Sequence, residues 1–206
     1  KEYRRQRQMC IRDSCITLSL LTRDPVLGMK VVLRYSVFRD QDAIARSATI
    51  CNEGKEAFYL EKVLSASLDM DDRNFEVMGL FGSWARERHI QRTPLGYGRQ
   101  NIASFKGESS HQESPFMALV TPETNQDVGE VYAMNFVYSG NFIAQAEKSQ
   151  FDSVRMMMGI HPEGFTWKLE PEECFTAPEV ILVYSGKGLG KMTRTYHLSL
   201  IHISEP

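Results

Sequence analysis

Apolar side chains recur at every second position in short runs along most of this chain, and Gly, Asn, Asp and Pro break the runs. That period suits a strand with one buried face and is wrong for a helix. In Lys30 to Phe38, Val31, Leu33, Tyr35 and Val37 alternate against Val32, Arg34, Ser36 and Phe38. Asp40-Gln41-Asp42 turns the chain, and Ile44 to Ile50 returns as an antiparallel partner. Asn52-Glu53-Gly54 makes the next turn. Ala57 to Leu68 reads as strand, although Leu60, Leu64 and Leu68 at i, i+4 and i+8 keep helix as a rival there. Phe75 to Phe81 is short and apolar and leads into Trp84. Residues 92 to 115 are loop-rich, with strands expected at Asn101 to Phe105 and Phe116 to Val120. Gly129 to Phe142 reads as a β-hairpin. Val131, Ala133, Asn135 and Val137 line one face and Tyr132, Met134, Phe136 and Tyr138 the other. Ser139-Gly140-Asn141 is its turn, because Gly and Asn take φ > 0 cheaply. The second arm runs from Phe142 to about Gln150, and Ser153 to Ile160 and Val180 to Tyr184 are further strands. Short strands at regular spacing with turn chemistry between them argue for an all-β fold, an antiparallel β-sandwich.

Length and charge narrow the function classes. A chain of 206 residues suits one domain to one and a half. The formal net charge of −2 gives no global field for nucleic acid or an anionic membrane. No run of 18 apolar residues is present, so no helix is expected to cross a membrane. Cys10, Cys15, Cys51 and Cys174 show no CxxC pair and no zinc spacing, and they read as free thiols in a reducing cytoplasm. The ends read differently from the middle. Lys1, Arg4, Arg5, Arg7 and Arg12 precede the short apolar run Cys15 to Leu21, which imitates a signal peptide but has no cleavage site after it. Met9 to Ser14 and Ser199 to Pro206 resemble translated adapter sequence. Residues 1–16 and 198–206 are therefore set aside as artefact-like or disordered, and 17–197 is taken as the sandwich domain.

Candidate chemistry is sparse. Ser185-Gly-Lys-Gly-Leu-Gly-Lys-Met-Thr193 imitates a phosphate loop but fails on spacing. Lys191 is followed by Met192 where Ser or Thr is needed, and position 191 spoils the dinucleotide fingerprint. A flexible loop leaving the last strand is expected instead. His89, His111 and His161 stand at no metal spacing, so neither metal nor cofactor is implied. His111, beside Ser109, Ser110 and Glu113, lacks a nucleophile elbow and reads as a histidine held in a polar loop. Trp84-Ala85-Arg86-Glu87-Arg88 is the most suggestive cluster. Aromatic faces stack on sugar rings, and guanidinium forks suit vicinal hydroxyls. An Arg–Glu network at a sheet edge or subunit contact is its plainer explanation. Glycoside hydrolysis needs two facing carboxylates, and nothing in the spacing singles out two of the 26 Asp and Glu.

Five separated stretches carry a family resemblance. They are Arg34 to Phe38 with Arg46 to Ile50 and Asn52; Gly79 to Arg88; Ser109 to Leu119; Gly129 to Phe142; and Gly164 to Ser185. In that order they resemble the amino-terminal domain of family 36 glycoside hydrolases, the α-galactosidases, from about Gly28 to about His197. The resemblance implies an antiparallel sandwich of the supersandwich type, here incomplete, with upstream strands missing and uncovered apolar edges prone to aggregation. It implies that the catalytic aspartates belong to a downstream (β/α)8 barrel, so no catalytic residue is assigned in this chain. In the full enzyme the implied reaction is retaining hydrolysis of terminal α-galactosides in oligosaccharides. The implied partners are that barrel and further copies of the chain in a homo-oligomer, with Trp84, Arg86, His111 and Asn141 as candidates for the rim of a sugar site. A stand-alone carbohydrate-binding or oligomerisation sandwich is the alternative.

Overall fold

The computed structural model describes residues 3–9, 15–38 and 41–204, with side chains placed for 15–38 and 41–198. The strands are β1 Tyr3–Met9, β2 Cys15–Asp24, β3 Met29–Phe38, β4 Ala43–Asn52, β5 Phe58–Leu60, β6 Leu64–Asp71, β7 Glu76–Ser83 and β8 Arg86–Pro94. They continue as β9 Gly98–Ser104, β10 Glu113–Val120, β11 Val131–Phe136, β12 Phe142–Lys148, β13 Ser153–Ile160, β14 Trp167–Leu169, β15 Cys174–Thr176 and β16 Val180–Ser185. One helix follows, α1 Gly188–Ser204. The large sheet runs β1-β2-β3-β4-β16-β11-β10-β7-β8, with β15 also pairing β4, and the small sheet is β12-β13-β6. Tyr97, just before β9, forms a parallel bridge to Lys148 of the small sheet, and β9 runs alongside β12. The fold is the antiparallel sandwich expected from the alternation.

The main core fills the space between the two sheets. Val77, Met117, Leu119, Met134, Phe136 and Val180 of the large sheet meet Phe142, Ala144, Ala146, Met156, Met158 and Ile160 of the small one. The three consecutive methionines split by the pleat: Met156 and Met158 are buried, while Met157 is only partly so. Flexible thioethers at such positions fill irregular gaps between sheets. On the outer face of the large sheet, Met78, Phe116, Ala118, Val120, Val131, Ala133, Ile181 and Val183 pack against Leu189, Met192 and Tyr196 of α1. The centre of the large sheet is thus buried on both faces. That is why Phe116 to Val120 reads as an unbroken apolar run and not as an alternation.

Several expectations are corrected. Gly129 to Gln150 is not a hairpin, because β11 and β12 lie in different sheets. Their alternation holds: Val131 and Ala133 face α1, and Met134 and Phe136 face the main core. The edge of β11 that a hairpin partner needs is taken by β16. Residues 137–141 therefore carry the chain across the core, and Phe142 pairs with Ile160.

The glycine-rich stretch after Ser185 is helix, not flexible loop. Gly188 turns in at φ 70° or so, the left-handed region open to glycine (φ 67). The first helical N–H groups are then spent on protein carbonyls: Gly188 N on Gly129 O at 3.0 Å, Leu189 N on Asn125 O and Gly190 N on Gln126 O, both at 2.9 Å. Those donors would otherwise be the ones to hold a phosphate. Burial pushes the Tyr196 phenol well above its ordinary value, so it stays a neutral donor to Ile181 O at 3.1 Å.

Cys51 and Cys174 are not free thiols. They stand opposite each other on β4 and β15 and form a disulfide across 123 residues of chain. Spacing alone could not pair them, because β15 returns to β4 only after both sheets have been built. Cys10 lies outside the described residues. Of the amino-terminal stretch set aside above, Tyr3–Met9 pairs with β2, and residues 1, 2 and 10–14 lie outside the described residues. At the other end the backbone of α1 runs on to Ser204, and 205–206 lie outside.

Candidate functional site

The four residues singled out in the sequence lie on three adjoining segments at one end of the sandwich. β7 and β8 form a hairpin whose tip is Trp84-Ala85, with Ser83 opposite Arg86. Ala85 and Arg88 take positive φ, 62° and 59°, and the register shifts between Phe81 and Ser83. Such a bulge re-aims side chains near a strand end. Trp84 is 86% exposed, and Arg86 and His111 are exposed beside it.

Gly82 explains how the tip meets the segment that carries His111. Its N–H donates to Gln112 O at 3.3 Å. A Cβ at Gly82 would stand 2.5 Å from Arg86 O and 3.0 Å from His111 O, so only glycine lets the three backbones close. Trp84, Arg86 and His111 are therefore brought together. Among the described residues none ion-pairs with Arg86, Glu87 or Arg88, so no Arg–Glu network forms within the sheet edge.

Asn141 plays a different part. Its Oδ1 accepts Gly107 N at 2.7 Å, and its backbone carbonyl accepts His161 N at 3.1 Å. Ser109 N and Oγ both donate to Ser139 O, at 2.8 and 3.4 Å. The sheet-crossing segment 137–141 thus seats the loop 105–112, and that loop presents His111. Lys106 ties the loop to Gln112 and, at 3.6 Å, to Glu113. The Phe105 ring lies 5.7 Å from the His161 ring. Asn141 positions the loop and is not itself presented.

Chemically the tip offers an aromatic face, a guanidinium and an imidazole in solvent, a set suited to holding a polyhydroxylated ligand. Two tightly paired carboxylates lie elsewhere. Glu53 is held below its ordinary value by hydrogen bonding to Lys30 and by Arg23, and Asp69 by the forked hydrogen bonds of Arg155 at 2.6 and 3.0 Å. Among the cavities formed by described residues, one of about 470 Å³ and one of about 400 Å³ have no Asp or Glu in their lining. Among the described residues no three His, Cys, Asp or Glu cluster as a metal site would need.

Sequence reasoning missed the lining of the smaller cavity, Gln91, Thr93, Gln100 and Asn101. No periodicity marks them, because their meeting depends on β9 joining the small sheet while β8 ends the large one.

The profile of the Glycosyl hydrolase family 36 N-terminal domain matches residues 5–170. The match starts upstream of Gly28, where the motif resemblance was expected to begin, so the early strands belong to it. Alpha-galactosidase AgaA of Geobacillus stearothermophilus is 45% identical over 181 residues, 88% of this chain and 25% of its own. Alpha-galactosidase Mel36A of Lactobacillus acidophilus is 44% identical over 190 residues, 92% of this chain and 26% of its own. A crystal structure of AgaA with 1-deoxygalactonojirimycin superposes with a TM-score of 0.90 at 40% identity, covering 96% of this chain and 29% of that one. The galactosidase domain of the α-galactosidase–sucrose kinase AgaSK gives 0.88 at 36% identity, covering 95% and 29%. The chain spans about a quarter of the length of the curated relatives it matches.

Proposed function

The chain belongs to the glycosyl hydrolase family 36 N-terminal domain family, and from that premise we propose that it serves as the non-catalytic amino-terminal sandwich of an α-galactosidase. One observation carries the reading. A likeness of 40% identity and TM-score 0.90 runs over 96% of this chain yet takes up only 29% of the α-galactosidase it matches. The remaining length of such an enzyme is where two facing carboxylates would act, one as nucleophile and one as acid/base, on a terminal α-galactoside. The sandwich contributes a rigid platform whose Trp84, Arg86 and His111 reach the rim of that site, in its own barrel or in a neighbouring copy of a homo-oligomer. No described helix is long and apolar enough to cross a membrane. Cytoplasmic placement is part of the proposal.

The test is to express the gene as it continues beyond residue 206 and assay a chromogenic α-galactoside. The continued protein is expected to hydrolyse it and the 206-residue chain is not. Activity in the short chain, or a continued protein inert on α-galactosides, would overturn the reading. A gene that stops at the sandwich would point to the free-standing binding module.

Trp84 separates the rim from a purely architectural role. Trp84→Ala in the continued enzyme is expected to raise KM about five- to tenfold, the loss of one sugar-stacking ring, with oligomers intact by light scattering. Loss of the oligomer with KM unchanged would make the hairpin an assembly contact only.

A further inference from the structure

We propose that the cleft between the β7–β8 edge of the large sheet and β9 is a second binding site for a neutral oligosaccharide, apart from the Trp84 tip. A cavity of about 400 Å³ opens between these strands, within the roughly 300–1,000 Å³ of small-molecule sites. Gly79 forms the floor. A Cβ in its place would stand 2.5 Å from Ile102 Cδ1 and 2.7 Å from the Phe81 ring, so glycine there lets Ile102 and Phe81 pack down onto β7 as the apolar base of the cleft. Phe81 supplies an apolar ring wall. Gln91 and Thr93 line one side and Gln100 and Asn101 the other.

The chemistry of that lining is selective. It holds amides and a hydroxyl and no charged side chain. Amides donate and accept in one plane, as a sugar's hydroxyls require, while a charged ligand would find no counter-charge. The amides on the β9 side are already fixed. Gln100 Nε2 donates to Pro94 O at 2.9 Å, and Asn101 Oδ1 accepts Gln145 Nε2 at 3.1 Å, which leaves Gln100 Oε1 and Asn101 Nδ2 for a ligand. Among the described residues none hydrogen-bonds the side chains of Gln91 or Thr93, and both are exposed. Half the polar lining is preorganised and half is unspent, the arrangement of a site open to a ligand and not of a sealed core. The inference rests on the α-galactosidase reading only for its class of sugar.

The experiment is an amide-resolved NMR titration of the 206-residue chain with the neutral galactoside stachyose, and with an oligogalacturonate as its anionic counterpart. Stachyose is expected to shift the side-chain amides of Gln91, Gln100 and Asn101 saturably, and the anion is not. Gln91→Ala with Thr93→Ala removes two exposed groups that hold nothing in the fold, and is expected to weaken binding at least about fivefold with the backbone spectrum otherwise retained. No saturable shift up to the solubility of the sugar would overturn the site, as would shifts confined to Trp84 or an unchanged affinity in the double variant. Hydrolysis by the continued protein with a silent cleft overturns this inference alone. A responsive cleft with no hydrolysis overturns the enzyme reading and leaves the site standing.

Discussion

Phe142→Ala is expected to lower the unfolding free energy by about 3–5 kcal/mol, a large share of the about 5–15 kcal/mol that holds a domain folded. Phe142 is fully buried and is the first residue of β12, opposite Ile160. It enters the main core with Phe136 and Met158, where the chain has just crossed from the large sheet to the small one. Both sheets close on its ring, so neither can move in to fill the void without tearing its own ladder. A site that cannot collapse shows the full cavity penalty. Phe151→Ala is the matched control. Phe151 is 81% exposed in the turn before β13, and its loss should stay within about 0.5 kcal/mol. Urea unfolding of the two variants decides the point. A Phe142 loss below about 1 kcal/mol would show that the sheets are loosely joined.

Asn52→Ala is expected to cost about 3–4 kcal/mol through polar groups and not through volume. Asn52 is fully buried at the end of β4. Its Nδ2 donates to Glu56 O at 2.9 Å and Leu169 O at 3.0 Å, and its Oδ1 accepts Gly54 N at 2.9 Å. One side chain thus ties the turn after β4 to the end of β14, next to the Cys51–Cys174 link. Its backbone closes the same corner, with N donating to Glu173 O at 2.9 Å and O accepting Glu172 N at 2.8 Å. Alanine would leave two carbonyls and an N–H without partners in a space too small to hydrate freely. The comparison with Asn52→Asp is informative. Aspartate keeps the acceptor but faces two carbonyl oxygens, so its loss should be at least as large near neutral pH and ease on acidification as the carboxyl protonates. Thermal unfolding of both variants within about 1 kcal/mol of the parent would mean that the corner is already wet.

Most of this architecture was readable before any coordinates. The alternation placed β3, β4, β13 and β16 to within a residue or two. It also sorted the faces of β11 correctly, since the pleat fixes which residues share a side whatever strand lies next door. The choice of neighbour was not readable. Ser139-Gly140-Asn141 carries turn chemistry that serves a hairpin and a crossing between sheets equally well, and only the arrival of β16 decides between them. The helix was hidden for a related reason. Two glycines in its first turn argue against helix by propensity, and what holds it is the capping by loop 125–129 and the burial of Leu189, Met192 and Tyr196. At the candidate site, residue type alone drew attention to Trp84 and Arg86, and their exposure agrees with that. Asn141 holds the loop through Gly107, a contact that its place in the sequence did not announce, because a side chain that caps a loop and one that greets a ligand look the same in sequence.

The order of strands in the large sheet sets a timetable for synthesis. β4 is completed early, yet the strands that cover its second edge, β15 and β16, come last, and Cys51 leaves the ribosome 123 residues before Cys174. At about 5–20 residues per second that is a wait of roughly 6–25 s with a long, open β4 edge in the cell. During that interval the nascent chain can build the β1–β4 meander and the separate β11-β10-β7-β8 half of the sheet, but nothing joins the two until β16 arrives. Arrest anywhere before Val180 therefore releases a chain whose β4 edge is a ready template for pairing with another chain.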